Sequence, residues 1–191
     1  MTAHQIRRTV VVGVDGSESA LRAVRWGAAK AGRRRVPLQL VTAFGWTDDQ
    51  DFGHPGLGGQ FRGILLDGAR SRLAAAAAVA EREVPDIEVE QQLIVGYPTA
   101  VLGAETLRAQ LVVIGDRGLG RVEGLLVGSV VVAVATHASC PVVVVRGAER
   151  EPSETASLPV VVGVDGSPTS EVAIAFAYEA AAVRGVPLMA V

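Results

Sequence analysis

Short apolar runs rich in valine alternate along much of the chain with longer segments in which apolar residues recur at helical spacing. The short runs are typical of strands buried inside a parallel sheet, and the longer pattern is typical of helices that pack on one. The predicted strands are residues 9–14, 38–43, 87–93, 111–114 and 142–145. The predicted helices between them are residues 18–31, 61–83, 98–109 and 130–137.

The order of these elements predicts the fold class. Five strands that alternate with four helices require right-handed crossovers. We therefore expect an α/β fold, with a doubly wound, five-stranded parallel sheet and helices on both faces. Gly32 is expected to end the first helix. Residues 44–60, rich in glycine and aspartate, are predicted to form a loop long enough to be functional or mobile.

The beginning of the chain is repeated near its end. The octapeptide VVVGVDGS at residues 10–17 recurs at 160–167. Without any gap, 15 of the 32 positions in 10–41 are identical to the positions 150 residues later. Self-similarity at a constant offset indicates that a structural unit has been duplicated.

The repeat predicts the domain organisation. A complete domain is expected at residues 1–147, a polar linker at 148–158, and a partial second unit of strand, helix and strand at 159–191. The strands of the second unit are predicted at 160–164 and 187–191. One helix cannot cover both faces of a parallel strand pair, so apolar side chains of this unit are expected to be exposed.

Composition and charge narrow the class of protein. Aromatic residues make up only 4% of the chain, so valine, alanine and leucine must form the core. The net charge of −2 provides no electrostatic basis for binding nucleic acid. The single cysteine, Cys140, excludes an intrachain disulfide. With neither a signal-peptide pattern nor a long apolar segment evident, we expect a soluble, cytoplasmic protein that does not associate with membranes.

The candidate chemistry lies between the fourth predicted strand and the next helix. Several glycines interrupt this segment, and Ser129 follows the last of them. These glycines are Gly115, Gly118, Gly120, Gly124 and Gly128. Glycines here allow the backbone to approach a ligand closely, and the N–H groups at a helix N-terminus favour an anion. The segment predicts a phosphate-binding loop, although an ordinary strand–helix turn also uses glycine.

Asp15 is the candidate on the neighbouring strand. If the first and fourth strands flank the point where the strand order reverses, Asp15 and Gly115 lie side by side where such sheets bind ligands. A carboxylate beside phosphates requires a divalent cation or a ribose hydroxyl between them, so Asp15 is a candidate Mg²⁺ ligand. Asp15 can also cap the first helix together with Ser17. Its repeat counterpart, Asp165, lacks partner glycines and is predicted to be a cap.

Other phosphate-binding motifs do not fit the sequence. A Walker A loop needs a lysine, and the only lysine of the chain, Lys30, lies in the first predicted helix. The dinucleotide-binding spacing GxGxxG fails because Glu123 occupies the position of the third glycine. Neither a GxSxG nucleophile elbow nor an HExxH motif is present.

The combination of these motifs resembles the universal stress protein family. The resemblance rests on VVVGVDGS at the start, on the spacing Gly115-x2-Gly118-x9-Gly128-Ser129, and on HASCPVVVVR at 137–146. It covers 9–146 as a complete unit and 160–191 as the beginning of a second. The resemblance implies a sheet of strand order 3-2-1-4-5, binding of ATP, and a homodimer formed through the fifth strand, from Pro141 to Val145.

The resemblance also implies which residues contact the nucleotide. Ala43, at the end of the second strand, would contact adenine through its backbone. The other implied contacts are Gly13, Val14, Asp15, Ile114, Gly115, Gly118, Gly128, Ser129 and Val130. Val131 departs from the pattern, because many members have a small polar residue at this position.

Three functions are consistent with these residues. The preferred one is an ATP-binding protein of the stress response or of signalling, with Mg²⁺ near Asp15, in which nucleotide occupancy regulates conformation or association. The second is slow ATP hydrolysis or phosphotransfer, for which no catalytic residue is assigned and Arg117 and Arg121 are the nearby cations. The third is a dimerising scaffold that binds no nucleotide.

Overall fold

The computed structural model describes residues 9–45, 57–118, 128–147 and 157–191, with the backbone alone for 57–61. The chain divides into two compact units, Met1–Gly147 and Ala148–Val191. Residues 46–56 of the loop predicted at 44–60, and the predicted candidates Gly120, Gly124 and Arg121, lie outside the described residues. The last four residues of that predicted loop, 57–60, belong to a helix instead.

The first unit is a doubly wound α/β domain. Its strands are β1 (Val10–Gly13), β2 (Leu38–Phe44), β3 (Val89–Val95), β4 (Leu111–Gly115) and β5 (Val142–Val145). Its helices are α1 (Glu18–Arg34), α2 (Leu57–Glu83), α3 (Pro98–Glu105) and α4 (Ser129–His137). All neighbouring strands are parallel, in the order β3-β2-β1-β4-β5, and helices cover both faces. The predicted fold class and strand order are confirmed.

The core is formed by β-branched and aliphatic side chains of the central strands. β1 and β4 are buried along their whole length. One face of the sheet, represented by Val11 and Val112, packs against α3 and α4 in one buried cluster. The central strands are therefore covered on both faces.

The first helix is longer than the sequence predicts. The Ser17 side chain accepts a hydrogen bond from the Ala20 N–H at 3.1 Å and caps the helix at its start. The helix continues through Arg34 and ends where Arg35 adopts a left-handed conformation, with φ of 53°. The prediction that Gly32 ends the helix is wrong. A Cβ on Gly32 would lie 2.9 Å from a methyl group of Val84, so this glycine allows another part of the domain to approach α1 closely.

Most other predicted boundaries differ from the structure by one or two residues, and three of the differences have a local cause or shift an element by more. Strand β3 begins at Val89, two residues later than predicted, because Asp86, which adopts a left-handed conformation with φ of 64°, forms a turn before it. Helix α2 begins at Leu57 instead of residue 61, since glycines in a first turn cost a long helix only about 1 kcal/mol each. Helix α3 ends at Glu105 instead of residue 109, because the Thr106 hydroxyl donates to the Gly103 carbonyl at 2.7 Å and holds a tighter turn.

The second unit repeats the first three elements. It contains β6 (Val160–Val162), α5 (Pro168–Arg184) and β7 (Leu188–Ala190), and its two strands are parallel. Val160 pairs with Leu188, just as Val10 pairs with Leu38 in the first unit. Both strands are shorter than predicted. Among the described residues of the chain, no helix combines the length and the apolarity needed to cross a membrane.

Candidate functional site

A cavity of about 350 Å³ opens at the carboxyl ends of the central strands of the first unit. Strand β1 lies between β2 and β4, so the chain crosses the sheet in opposite directions on its two sides, and this reversal leaves a crevice. The residues that line the cavity are Gly13, Val14, Asp15, Ala20, Val41, Ala43, Pro98, Leu102, Ile114, Gly115, Arg117, Gly118, Gly128, Ser129, Val130 and Val131.

The structure brings all ten residues of the predicted nucleotide site to this one cavity. They come from three strand ends and from the start of α4, and they are far apart in the sequence. Their individual contacts with a nucleotide stay predictions.

One end of the cavity is apolar. Leu102 and Ile114 belong to the buried cluster of the domain, and Ala43 packs against the same cluster at the end of β2. The predictions did not include Pro98 and Leu102 in the site. The predicted fold could have indicated these two residues. In a doubly wound sheet, the helix that follows a strand begins at the edge of the sheet where that strand ends.

Asp15 is held in place by its own turn. Its Oδ1 accepts a hydrogen bond from the Ser17 N–H at 2.9 Å. Its Oδ2 lies against Gly118, where an added Cβ would be 2.7 Å from that oxygen. Glycine at 118 therefore allows the loop after β4 to lie close to the Asp15 carboxylate. Asp15 thus holds the turn before α1 and also lines the cavity. Its role as a Mg²⁺ ligand stays a prediction.

Gly115 has a structural role that the sequence did not reveal. A Cβ at this position would lie 2.7 Å from the carbonyl carbon of Ser19, in the first turn of α1. Glycine at the end of β4 therefore allows the backbone of α1 to pack directly on the strand. Substitution of Gly115 would displace α1, so its effect on ligand binding could not be separated from its effect on the fold.

At the start of α4, no side chain of a described residue caps the first backbone N–H groups. Gly128 is the N-cap residue and has no side chain that could accept from the first helical N–H groups. The Gly128 N–H donates to the Asp116 carbonyl at 2.9 Å and ties the helix start to the loop after β4. The N–H groups of Ser129 and Val130 begin the helix at the cavity wall, where the helix dipole favours an anion.

A second cavity, of about 340 Å³, lies beside the first. The first turn of α1 forms one wall, through Ser17, Ser19 and Arg22. The loop after β4 forms another wall, through Asp116 and Arg117. Arg117 and Gly118 line both cavities, so the loop after β4 is their shared boundary. No pattern in the sequence predicts this cavity.

A cluster of polar contacts holds the second cavity together. The Ser19 hydroxyl donates to the Asp116 carboxylate, and Arg22 Nη2 lies 3.7 Å from the same carboxylate. The Ser17 hydroxyl donates to the Arg117 carbonyl at 3.4 Å. These contacts join residues about 100 positions apart, and no local sequence pattern marks them.

The fold and the cavity define this chain as a doubly wound α/β protein with a ligand site at the reversal of strand order. Residues 7–146 match the family model described as "Universal stress protein family". Since this match covers most of the chain, the chain belongs to the universal stress protein family.

Several mycobacterial relatives are similar over nearly the whole chain. A universal stress protein of Mycobacterium tuberculosis is 34% identical over 187 residues, which are 95% of this chain and 62% of the relative. A second one from the same organism is 35% identical over 185 residues, which are 96% of this chain and 64% of the relative. The chain thus spans somewhat less than two thirds of the length of these relatives.

Solved structures of the family are similar to the first unit in size and fold. A universal stress protein in complex with cAMP is 30% identical, with a TM-score of 0.53, and the match covers 72% of this chain and 95% of that one. The universal stress protein of Archaeoglobus fulgidus in complex with dAMP is 27% identical, with a TM-score of 0.54, and the match covers 73% and 98%.

Proposed function

We propose that this chain binds an adenine nucleotide in the first cavity and uses its occupancy to regulate conformation or association, as part of a stress response. The observation that carries the proposal is that one cavity combines an apolar end, near Ala43 and Leu102, with the helix N-terminus at Ser129 and Val130. An adenine base suits the apolar end, and phosphates suit the start of α4. The complexes of relatives with cAMP and dAMP support the same class of ligand.

The residues fit ATP accompanied by Mg²⁺. Among the described residues, no group of three or more acidic, histidine or cysteine side chains is placed to hold a metal. Mg²⁺ in nucleotide sites commonly uses one or two carboxylates together with phosphate oxygens, which is the donor set that Asp15 and a bound ATP provide. Asp15 would hold the cation, and the cation would neutralise the phosphates beside this carboxylate.

The repeat supplies a matched control for the binding experiment. We expect calorimetric titration to give one nucleotide per chain. Asp15→Ala should weaken the binding of ATP with Mg²⁺ about tenfold or more. Asp165→Ala removes the same turn contact, a 2.9 Å hydrogen bond from the Ser167 N–H, at a residue that is not among the described lining residues of the cavity, and should bind like the wild type. Equal binding by all three proteins would refute the role of Asp15, and no binding by the wild type would refute the proposed function.

The two glycines of the cavity differ in their use as tests of nucleotide binding. Gly115→Ala is unsuitable as a test because it would displace α1. Gly128→Ala is the usable variant, because alanine can adopt the backbone conformation of this residue: φ is −70°, and the atom nearest to an added Cβ lies at 3.5 Å.

The wild type and Asp15→Ala also distinguish nucleotide binding from ATP hydrolysis. Sustained phosphate release that disappears in Asp15→Ala would favour slow hydrolysis over regulation by occupancy.

We further infer that the chain forms a homodimer through its fifth strand. β5 is the edge strand of the five-stranded sheet, and its valines are only partly buried. An unpaired apolar edge tends to associate with another strand. Sedimentation analysis of the wild type and of Val143→Lys would test this inference: we expect a dimer and a monomer, respectively, and a monomeric wild type would refute it.

A further inference from the structure

One hydroxyl group of α1 makes two hydrogen bonds to the loop after β4. The Ser19 hydroxyl donates to the Asp116 carboxylate and accepts a longer hydrogen bond from the Arg117 N–H, at 3.5 Å. Ser19 lies in the first turn of α1, packs against Gly115 and is only 6% exposed. The helix and the loop are thus joined by a contact that is nearly buried.

The other side of the same peptide group holds the start of α4. The Gly128 N–H donates to the Asp116 carbonyl at 2.9 Å, and Gly128 is both the N-cap residue of α4 and part of the wall of the first cavity. In a planar trans peptide, the C=O and the N–H of the next residue point in opposite directions. Because the Arg117 N–H faces Ser19, the Asp116 carbonyl points away from α1 and towards Gly128. The hydroxyl on α1 therefore sets the direction of the carbonyl that anchors α4.

Two side chains of α1 contact the Asp116 carboxylate. One is the Ser19 hydroxyl, and the other is Arg22, whose Nη2 lies 3.7 Å from the same carboxylate oxygen. The side chains of Arg22 and Asp116 are 22% and 14% exposed, and a long, partly exposed ion pair contributes little. A hydrogen bond from a nearly buried hydroxyl to a carboxylate contributes more. The Ser19 hydroxyl is therefore the stronger of these two links.

We propose that Ser19 is a positioning residue of the first cavity, which through Asp116 holds the start of α4 in place at the cavity wall. Ser19 is not among the described residues that line that cavity, so it acts without touching the ligand. Its effect on nucleotide affinity rests on the proposed function, whereas its hold on α4 can be measured without any ligand.

The hold on α4 is tested on the whole chain without nucleotide. Ser19→Ala removes the hydroxyl and keeps a good helix former in α1. NMR relaxation should show the backbone order parameter of Gly128 falling from the rigid value of about 0.85 towards the flexible value of about 0.6, while that of Val12 in β1 stays rigid. A general loss of stability does not change the order parameters of the folded state. An unchanged value for Gly128, or a flexible Gly128 in the wild type, would overturn the inference.

The effect on the ligand is tested by comparing AMP with adenosine. AMP carries the phosphate that suits the start of α4, and adenosine carries only the base and the sugar. Calorimetric titration should show that Ser19→Ala binds AMP about tenfold more weakly than the wild type and binds adenosine within about twofold of it. Equal losses for the two ligands would mean that Ser19 shapes the cavity as a whole. That result, or an unchanged affinity for AMP, would overturn the inference.

A variant of Asp116 separates the hydroxyl from the ion pair. Asp116→Asn keeps an acceptor for the Ser19 hydroxyl and removes the charge beside Arg22, so its affinity for AMP should stay within about threefold of the wild type. A loss as large as that of Ser19→Ala would transfer the role to the ion pair and contradict the proposal.

The repeat again provides a matched control. Thr169 is the counterpart of Ser19 in the second unit and is exposed in the first turn of α5. Thr169→Ala should behave like the wild type in both measurements, and a loss as large as that of Ser19→Ala would overturn the inference. A wild type that binds neither AMP nor adenosine would refute the proposed function, and the order parameter of Gly128 would still decide the role of Ser19.

Discussion

The two copies of the repeat have the same local structure but different environments. β1 and β6 both begin with three valines, and each pairs in the same register with the strand that follows its helix. Ser17 and Ser167 cap the two helices through equivalent hydrogen bonds, at 3.1 and 3.2 Å. Burial is where the copies differ. Val11 is fully buried, whereas its counterpart Val161 is 56% exposed.

The difference shows what a strand–helix–strand segment specifies by itself. Local capping, register and turn geometry form in both units because they depend on neighbouring residues. Burial of Val11 depends on α3 and α4, which cover that face of the sheet in the first unit. The sequence prediction that the second unit exposes apolar side chains is confirmed by Val161, Val164 and Met189.

The largest expected contrast is between identical substitutions at equivalent valines. Val11→Asp places a carboxylate in a core without partners and should destabilise the first unit by about 3–5 kcal/mol. Val161→Asp faces solvent and should cost about 1 kcal/mol or less. Urea denaturation followed by tryptophan fluorescence reports on the first unit, because both tryptophans of the chain, Trp26 and Trp46, belong to it.

Hydrogen exchange of the amides in β6 provides the corresponding measurement for the second unit. Similar losses of stability for Val11→Asp and Val161→Asp would show that the exposed face of β6 is covered in solution. That result would contradict the contrast between the two copies.

A smaller contrast is expected where the helices meet their strands. A Cβ on Gly27 would lie 2.6 Å from a methyl group of Val12, which is stiff because valine is β-branched. Gly27→Ala should therefore cost about 1–2 kcal/mol, since overpacking outweighs the gain in helix propensity. The counterpart of Gly27 in the second unit is an alanine, Ala177. Ala177→Gly should also destabilise its unit, by about 1 kcal/mol, because glycine has a lower helix propensity than alanine.

Tryptophan fluorescence and hydrogen exchange again separate the two units. A stabilising effect of Gly27→Ala would mean that α1 can move away from β1 without loss, and the helix–strand packing described for the first unit would then be incorrect.

The C-terminal ends of α1 and α5 allow a residue of each copy to be replaced by its counterpart in the other. Arg35 and Gly185 both adopt left-handed conformations, with φ of 53° and 64°. Glycine adopts this conformation without steric cost, so Arg35→Gly should stabilise the first unit by about 1 kcal/mol and Gly185→Arg should destabilise the second by a similar amount. Thermal unfolding measures both changes, and shifts of the same sign would contradict the shared end geometry.

The smallest effect concerns the turn of the second unit. Hydrogen bonds from Ser167, first from its side chain and then from its backbone, lower the pKa of Asp165 from its ordinary value of 3.8. A depressed folded-state pKa means that the ionised carboxylate stabilises the turn above the unfolded pKa and that this stabilisation is lost as the pH falls through the folded pKa. An NMR titration of the Asp165 carboxyl should give a midpoint below 3.8, and a midpoint at or above that value would contradict the hydrogen bonds.

Periodicity and spacing were sufficient to predict the fold of the first unit. Alternating valine-rich runs and helical segments predicted a doubly wound sheet, and the family resemblance predicted its strand order. Boundaries were less predictable, as Gly32 and β3 illustrate. Glycine ends helices often, but Gly32 is explained by its contact with Val84, which is far away in the sequence.

The candidate site was predictable in its residues and less so in its chemistry. The spacing of Gly115, Gly118, Gly128 and Ser129 predicted residues that do meet in one cavity. The sequence could not distinguish a glycine that faces a ligand from one that accommodates a helix. Only the packing of Ser19 against Gly115 shows that this glycine positions α1.

The sequence by itself determined the order of the elements and the repeat, because each depends on residues close together or on a fixed spacing. The tertiary structure decided which valines are buried and which polar groups meet. Val11 and Val161 have the same neighbours in sequence and opposite exposure. Arg22 and Asp116 come together only because α1 packs against the end of β4, and burial and charge pairing across such distances are properties of the folded chain.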